Sequence, residues 1–163
     1  MKRLSDWCGD NFSGGRITEL SVYKGDTYKL ELEGGQTFFI NCAIVADYDL
    51  HEGGEMDAEL LEKLQHADKM RKAKKRALYL LGSRMYSYNE LYKKLLPTYG
   101  EEASRAAADA MQEYGYIDDA DYAGKLAEKL IHGKHYGMSK TRWEMQSRGL
   151  DKNLIEDILA EYT

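Results

Sequence analysis

The sequence predicts a mainly α protein, tandem three-helix repeats in a curved helical array, preceded by a small N-terminal β-meander. Three observations carry this. Tyr28, Leu30 and Leu32 alternate with Lys29, Glu31 and Glu33, the period of a strand with one face buried. From residue 57 onward apolar residues recur at helical spacing, and the chain has a single proline, Pro97, to interrupt them. Finally, the second half matches the first when slid by 50 residues. Ala73 and Ala77 fall on Ala123 and Ala127, Leu80 and Leu81 on Leu130 and Ile131, and Leu91 and Leu95 on Thr141 and Met145. One extra step aligns Tyr99, Ala103 and Ala107 with Leu150, Leu154 and Ile158. An all-helical period near 50 indicates stacked units, each burying a face against its neighbour.

Residues 1–15 lack periodicity, contain Gly14 and Gly15, and read as a flexible tail. Residues 16–56 form a strand-rich region. Its candidate strands are 17–23, 28–32 and 36–41, separated by Gly25-Asp26 and Gly34-Gly35, which accept the positive φ of short hairpin loops. Three strands in some forty residues bury too little surface to stand alone, so this region is expected to pack on the helices that follow.

Residues 57–115 read as the first repeat. Asp57 opens a helix, with Glu59 in its first turn, and a second helical pattern over 67–81 is either separate or continuous with it. Met70, Ala73, Ala77, Leu80 and Leu81 make its apolar stripe. Ser87 and Glu90 have capping-box spacing and start a short helix, with Leu91 and Leu95 inward, that ends near Pro97. Glu101 and Glu102 begin a third helix whose stripe is Ala103, Ala106, Ala107, Ala110, Met111 and Tyr114, stopped by Gly115. Residues 116–163 read as the second repeat, with Asp118, Asp119 and Asp121 at the start of a helix running to about Gly133.

The net charge of −5 is uneven: 6 Lys/Arg against 13 Asp/Glu in residues 1–66, 10 against 6 in 67–115, and 7 against 9 in 116–163. That balance argues against a protein that coats nucleic acid indiscriminately, while leaving room for a basic face in the middle third. Cys8 and Cys42 have no metal-ligand spacing, and no signal peptide or apolar span is visible. Reduced thiols and a cytoplasmic location are expected, with no membrane contact. No nucleophile elbow, phosphate-cradling glycine loop or dinucleotide fingerprint is present. The expectation is a binding protein without catalytic residues, metal, cofactor or small-molecule substrate.

Residues 113–123 (Glu-Tyr-Gly-Tyr-Ile-Asp-Asp-Ala-Asp-Tyr-Ala) resemble the joint between repeats in the RecX family of RecA regulators. Arg76 to Gly82, followed by Ser87, Glu90, Leu91, Lys94 and Leu95, resembles that family's first repeat, and 137–150, with Arg148, Gly149 and Leu150, its second. The N-terminal strands, closing on Gly53, Glu55, Met56 and Asp57, resemble an extension found in some members. Together the resemblance covers about 16–162. It implies a helical-repeat modulator of RecA filaments on single-stranded DNA, with inhibition expected ahead of stimulation, acting in recombination and repair without chemistry of its own. Members usually carry three repeats and this sequence shows two, which bears on the extent of the expected binding surface.

The densest charge run is Lys69, Arg71, Lys72, Lys74, Lys75 and Arg76. Such a run is either a solvated helix face or a binding face. Arg71, Lys72 and Lys75 lie opposite the apolar stripe with Tyr79 beside them, which suits an acidic protein surface or a phosphate backbone. Arg84, Lys93 and Lys94 extend the face from the neighbouring helix, and Arg142 and Arg148 are the second repeat's counterparts. These, with Arg76, are the candidate partner-binding residues. The partner is a RecA filament, or DNA bound weakly and directly; a scaffold for an unrelated protein is the third reading. Tyr114, Tyr116, Ile117 and Tyr122 are expected as core at the repeat junction, and Trp143 as core or as an exposed anchor. Asp118, Asp119 and Asp121 lack the glycine and closing glutamate of a calcium loop and read as a helix start. Asp47, Asp49, His51 and Glu52 read as a polar turn, and His132 and His135 as flanking a helix end.

Overall fold

Alternation in the N-terminal third becomes a twisted antiparallel sheet, and the helical stripes become the rest of the chain. The computed structural model describes Leu4, Phe12 and residues 14–163, so most of the expected tail, with Cys8, lies outside the described residues. The chain divides into two compact units, Met1–Arg71 and Lys72–Thr163.

In the first unit, β1 (Gly15–Lys24), β2 (Thr27–Leu32), β3 (Thr37–Asn41) and β4 (Glu55–Met56) form one sheet in the order β3-β2-β1-β4. The β1–β2 register, with Lys24 opposite Thr27, leaves Gly25-Asp26 as a two-residue loop, and Gly25 takes the required positive φ of 54°. Four strands stand where the pattern predicted three. β4 is only two residues long, pairs with Gly15 and Arg16, and is too short to show a period. Sequence reasoning also missed α1 (Cys42–Asp47), whose one visible signal is its N-cap: the Asn41 side chain accepts from the Ala43 N–H at 2.9 Å.

The expected support for the sheet is present. Ile17, Leu30, Leu32, Phe38 and Ile40 share one buried cluster with Ile44 of α1 and with Leu61 and Leu64 of α2 (Ala58–Ser83). The helix is unbroken from its start, where Asp57 Oδ1 accepts from the Leu60 N–H at 2.7 Å. The two candidate patterns around 57–81 are therefore one element.

In the second unit, Ala73, Ala77 and Leu80 of α2 are buried. α3 (Tyr88–Glu113) is two helical segments joined at Gly100, whose φ of 78° and ψ of 175° are not helical. Pro97 lies just before that joint, as expected for a residue that cannot continue an N–H ladder. Then come α4 (Asp119–Glu128), a π-helical turn (Lys129–Gly133), α5 (Met138–Ser147) and α6 (Lys152–Ala160). The order long helix, short helix, helix thus occurs twice.

Two of the helices, α3 and α5, end alike. After α3, the Gly115 N–H bonds to Gln112 O and the Tyr116 N–H to Met111 O; after α5, Gly149 bonds to Gln146 O and Leu150 to Met145 O. Both are Schellman ends, with the glycines at φ +82° and +76°. The offset of 50 holds where α2 and the π turn finish. Arg84 stacks on Tyr86 at 3.7 Å, and Lys134 faces Tyr136 at 5.7 Å.

One expectation about the junction is overturned. Ile117 and Tyr122 are buried, but Tyr114 and Tyr116 are 63% and 59% exposed, their rings 6.3 Å apart edge to face. The Schellman turn is the reason. It ends the helix at Glu113 and reverses the chain at Gly115, so Ile117, whose N–H returns to Met111 O, is the residue that enters the core while Tyr114 stays on the exposed cap. Trp143 is 65% exposed.

Candidate functional site

The basic residues separate into two groups according to what holds them. Lys72, Lys75, Arg76 and Tyr79 are all exposed on α2, at the i, i+3, i+4, i+7 spacing of one helix face. Tyr79 is 69% exposed, with the Arg76 guanidinium 4.9 Å from its ring centre. Arg71 is different: it is half-buried in the first unit, its Nη2 3.9 Å from Asp68, with a buried Nε that lacks a hydrogen-bond partner.

Lys93 and Lys94, on the first segment of α3, line a shallow depression of about 580 Å³ together with Arg76, Leu95, Pro97 and Tyr99. Sequence reasoning grouped Arg76, Lys93 and Lys94 by charge; the fold groups them by position. Lys75, Arg76, Lys93 and Lys94 have no ion-pair partner among the described residues. That leaves them available to an external carboxylate or phosphate. Nearby on α3, Arg105 lies 4.8 Å over the Tyr92 ring, a second exposed cation on an aromatic face that charge counting did not single out.

The remaining predicted cations are already engaged. Arg142 forms a two-pronged pair with Glu156, Nε to Oε1 at 2.5 Å and Nη2 to Oε2 at 3.1 Å, so its field is largely spent within the fold. The guanidinium beside Glu156 holds that carboxyl below its ordinary pKa. Arg84 donates to Met85 O at 2.8 Å and to Glu90 Oε2 at 3.0 Å. Arg148 donates to Glu144 Oε1 and, at 3.3 Å, to the Tyr122 hydroxyl. Arg84, Tyr122 and Arg148 belong to a second concavity, of about 250 Å³, between α4, the π turn and the α5–α6 joint.

That joint is tied to the start of α3. Ser87, fully buried, donates to Arg148 O at 2.5 Å while accepting the Glu90 N–H, and Glu90 closes the capping box on the Ser87 N–H. Asn89 Nδ2 donates to Gly149 O at 2.8 Å, and the Tyr88 N–H donates to Asp119 Oδ1 at 2.9 Å. Asp118 caps α4 through the Asp121 N–H at 3.1 Å. The acidic group at 118–121 is thus occupied with helix ends. Burial, ahead of its neighbours' charge, raises the Asp119 pKa. In the first unit, Glu52 Oε1 accepts from the Leu20 N–H, and His51 Nδ1 is 3.0 Å from Glu52 O.

No protein-family model matches the chain. Among curated proteins, the chain is 28% identical over 148 residues to the "Regulatory protein RecX" of Clostridium botulinum (strain Alaska E43 / Type E3), covering 89% of this chain and 69% of that protein. It is 29% identical over 151 residues to the "Regulatory protein RecX" of Leuconostoc citreum (strain KM20), covering 90% of this chain and 56% of that one. A solved structure described as "Crystal structure of regulatory protein RecX" superimposes with a TM-score of 0.75 at 24% identity, over 91% of this chain and 74% of the other. RecX from Lactobacillus salivarius superimposes with a TM-score of 0.57 at 23% identity, over 60% of this chain and 64% of the other. These superpositions speak to the fold.

Proposed function

We propose that this chain, similar along most of its length to regulatory proteins of the RecX family, binds RecA nucleoprotein filaments on single-stranded DNA and lowers their ATP turnover and strand exchange. The observation that carries this reading is the cationic depression at Arg76, Lys93 and Lys94, flanked by the exposed Arg76–Tyr79 stack. Cations without an internal partner lose nothing in the fold when they engage an acidic partner surface, and an exposed aromatic beside them supplies apolar contact area. In this reading, residues 57–115 and 116–163 are two repeats that contact successive filament subunits. The chain supplies differential binding to filament states, and RecA supplies the ATP chemistry.

The test is the single-stranded-DNA-dependent ATPase of RecA, titrated with the protein at ratios well below one per RecA. Loss of turnover at such ratios supports filament capping or blocking. A Lys93→Glu/Lys94→Glu variant should then require much more protein for the same effect. Unchanged turnover at saturating protein overturns the proposal.

A second reading, direct binding of nucleic acid, is favoured by the same Arg76–Tyr79 stack, because a cation on an aromatic face suits a stacked base beside a phosphate. It predicts binding that needs no RecA and weakens steeply as salt rises.

A further inference from the structure

The second concavity has a lining that charge balance alone does not explain. Arg84, Lys125, Lys129, Lys134 and Arg148 converge on it, and no carboxylate lines it. Gathering cations around one small space costs repulsion unless acids or a bound anion offset it. Three are offset by acids: Glu90 at 3.0 Å from Arg84 and also beside Tyr122 and Arg148, Asp121 at 2.9 Å from Lys125, and Glu144 at 3.1 Å from Arg148. Lys129 and Lys134 are exposed and have no ion-pair partner among the described residues.

The π turn brings those two lysines together. In an α-helix, residues five apart point about 140° away from each other, since each residue turns the chain by roughly 100°. Here the Lys134 N–H bonds to Lys129 O at 2.9 Å, an i to i−5 closure that stacks residues five apart on one side. At the matching place in the first repeat the Arg84 N–H closes instead on Leu80 O, four residues back. The departure from the repeat therefore occurs where it gathers charge at the cleft.

The remaining lining is apolar. Met85, Leu126 and Leu130 contribute to it, beside the ring of Tyr122. A bare anion has no use for such a floor, whereas a phosphate carried on a flat ring matches both parts. The guanidinium of Arg84 is fixed in advance by its stack on Tyr86 and its bond to Met85 O, and that of Arg148 by Glu144 and Tyr122.

We propose that this cleft is a nucleotide site: Lys129, Lys134, Arg84 and Arg148 hold a phosphate, and the Met85–Leu126–Leu130 floor receives the base. The ligand is either a free nucleotide or one unit of a single strand. The site is separate from the Arg76–Lys93–Lys94 depression and does not depend on the RecA reading.

Calorimetric titration of the full chain at about 50 mM salt with ADP, adenosine, inorganic phosphate and an eight-residue oligothymidylate tests it. ADP is expected to bind saturably, with adenosine and inorganic phosphate each at least about tenfold weaker. Lys129→Glu and Lys134→Glu should each weaken ADP by roughly tenfold, with the far-ultraviolet circular dichroism unchanged because both side chains are exposed. Lys93→Glu/Lys94→Glu should leave ADP affinity as it was. If the oligonucleotide displaces ADP and binds tighter, the ligand is a strand; if it fails to displace ADP, the ligand is a free nucleotide. The proposal falls if neither ADP nor the oligonucleotide saturates, if inorganic phosphate equals ADP, or if both lysine variants bind as the parent does.

Discussion

Replacing Gly149 with alanine asks how tightly the α5–α6 joint is seated against the start of α3. Gly149 has φ +76°, and a Cβ added there would lie 2.7 Å from Asn89 Cβ and 3.4 Å from Ser87 Oγ. The first contact is closer than side-chain carbons approach, and neither neighbour is free to retreat. Asn89 bonds to Gly149 O and Ser87 to Arg148 O, so yielding would break the bonds that make the joint. Left-handed backbone with a Cβ costs roughly 1–2 kcal/mol, and overpacking a further 1–3 kcal/mol. A loss of about 2–5 kcal/mol follows, or a fall of about 10 °C in Tm for a chain of this size. Gly115→Ala is the control. Gly115 has the same Schellman role at φ +82°, but nothing lies within 4 Å of its added Cβ, so only the conformational cost of about 1 kcal/mol applies. Urea unfolding followed at 222 nm measures both. If the two variants agree within about 0.5 kcal/mol, the close approach to Asn89 contributes nothing and the reasoning is refuted.

Ser87→Ala removes a capping box and leaves the Arg148 carbonyl without its donor; a loss of about 2–3 kcal/mol in the same urea assay is expected. Asp119→Asn keeps an oxygen for the Tyr88 N–H while removing the charge whose burial raises the carboxyl pKa. A carboxyl raised on folding opposes stability once ionised: the penalty is absent below the unfolded pKa and complete above the folded one. Asp119→Asn should therefore be at least as stable as the parent at pH 7, with its advantage shrinking as pH falls through the folded pKa; an advantage that grows toward acid pH would contradict this. Asp119→Ala loses the bond and should cost about 1 kcal/mol at pH 7. Tyr114→Ser and Tyr116→Ser should each change stability by less than about 0.5 kcal/mol, whereas Ile117→Ala should cost about 2–4 kcal/mol, which thermal melts separate readily.

The architecture was legible where a pattern repeats often enough to set a phase. Leu30 and Leu32 announced a half-buried strand, and Ala73, Ala77 and Leu80 a helix face, because each residue type recurs with the period of its element. Elements of a few residues have no period to read: β4 pairs only through Gly15 and Arg16, and α1 is visible chiefly in the Asn41 cap. Tyr114 was misplaced because a helical stripe was carried onto the cap residue, where the chain is about to reverse. At the candidate site, charge density drew attention to 69–76, yet which cations are free depends on partners far along the chain. Arg142 is matched by Glu156, fourteen residues away, and Arg148 touches Tyr122, twenty-six away. Lys125, Lys129 and Lys134 form no dense run, and the i to i−5 closure that unites two of them leaves no mark in composition.

The joint inside α3 has a further consequence, for where the chain tolerates changes in length. A loop absorbs an added residue by bulging, but Gly100 is the whole connection between two helical segments. Its φ and ψ lie in a region open almost solely to glycine, so it cannot share the turn with a neighbour. One residue inserted after it would rotate the following segment by about 100° and carry Ala103, Ala107 and Met111 out of the core together. Length variation among natural relatives should therefore gather at the β2–β3 hairpin, residues 33–36, and be missing between Leu95 and Ala103.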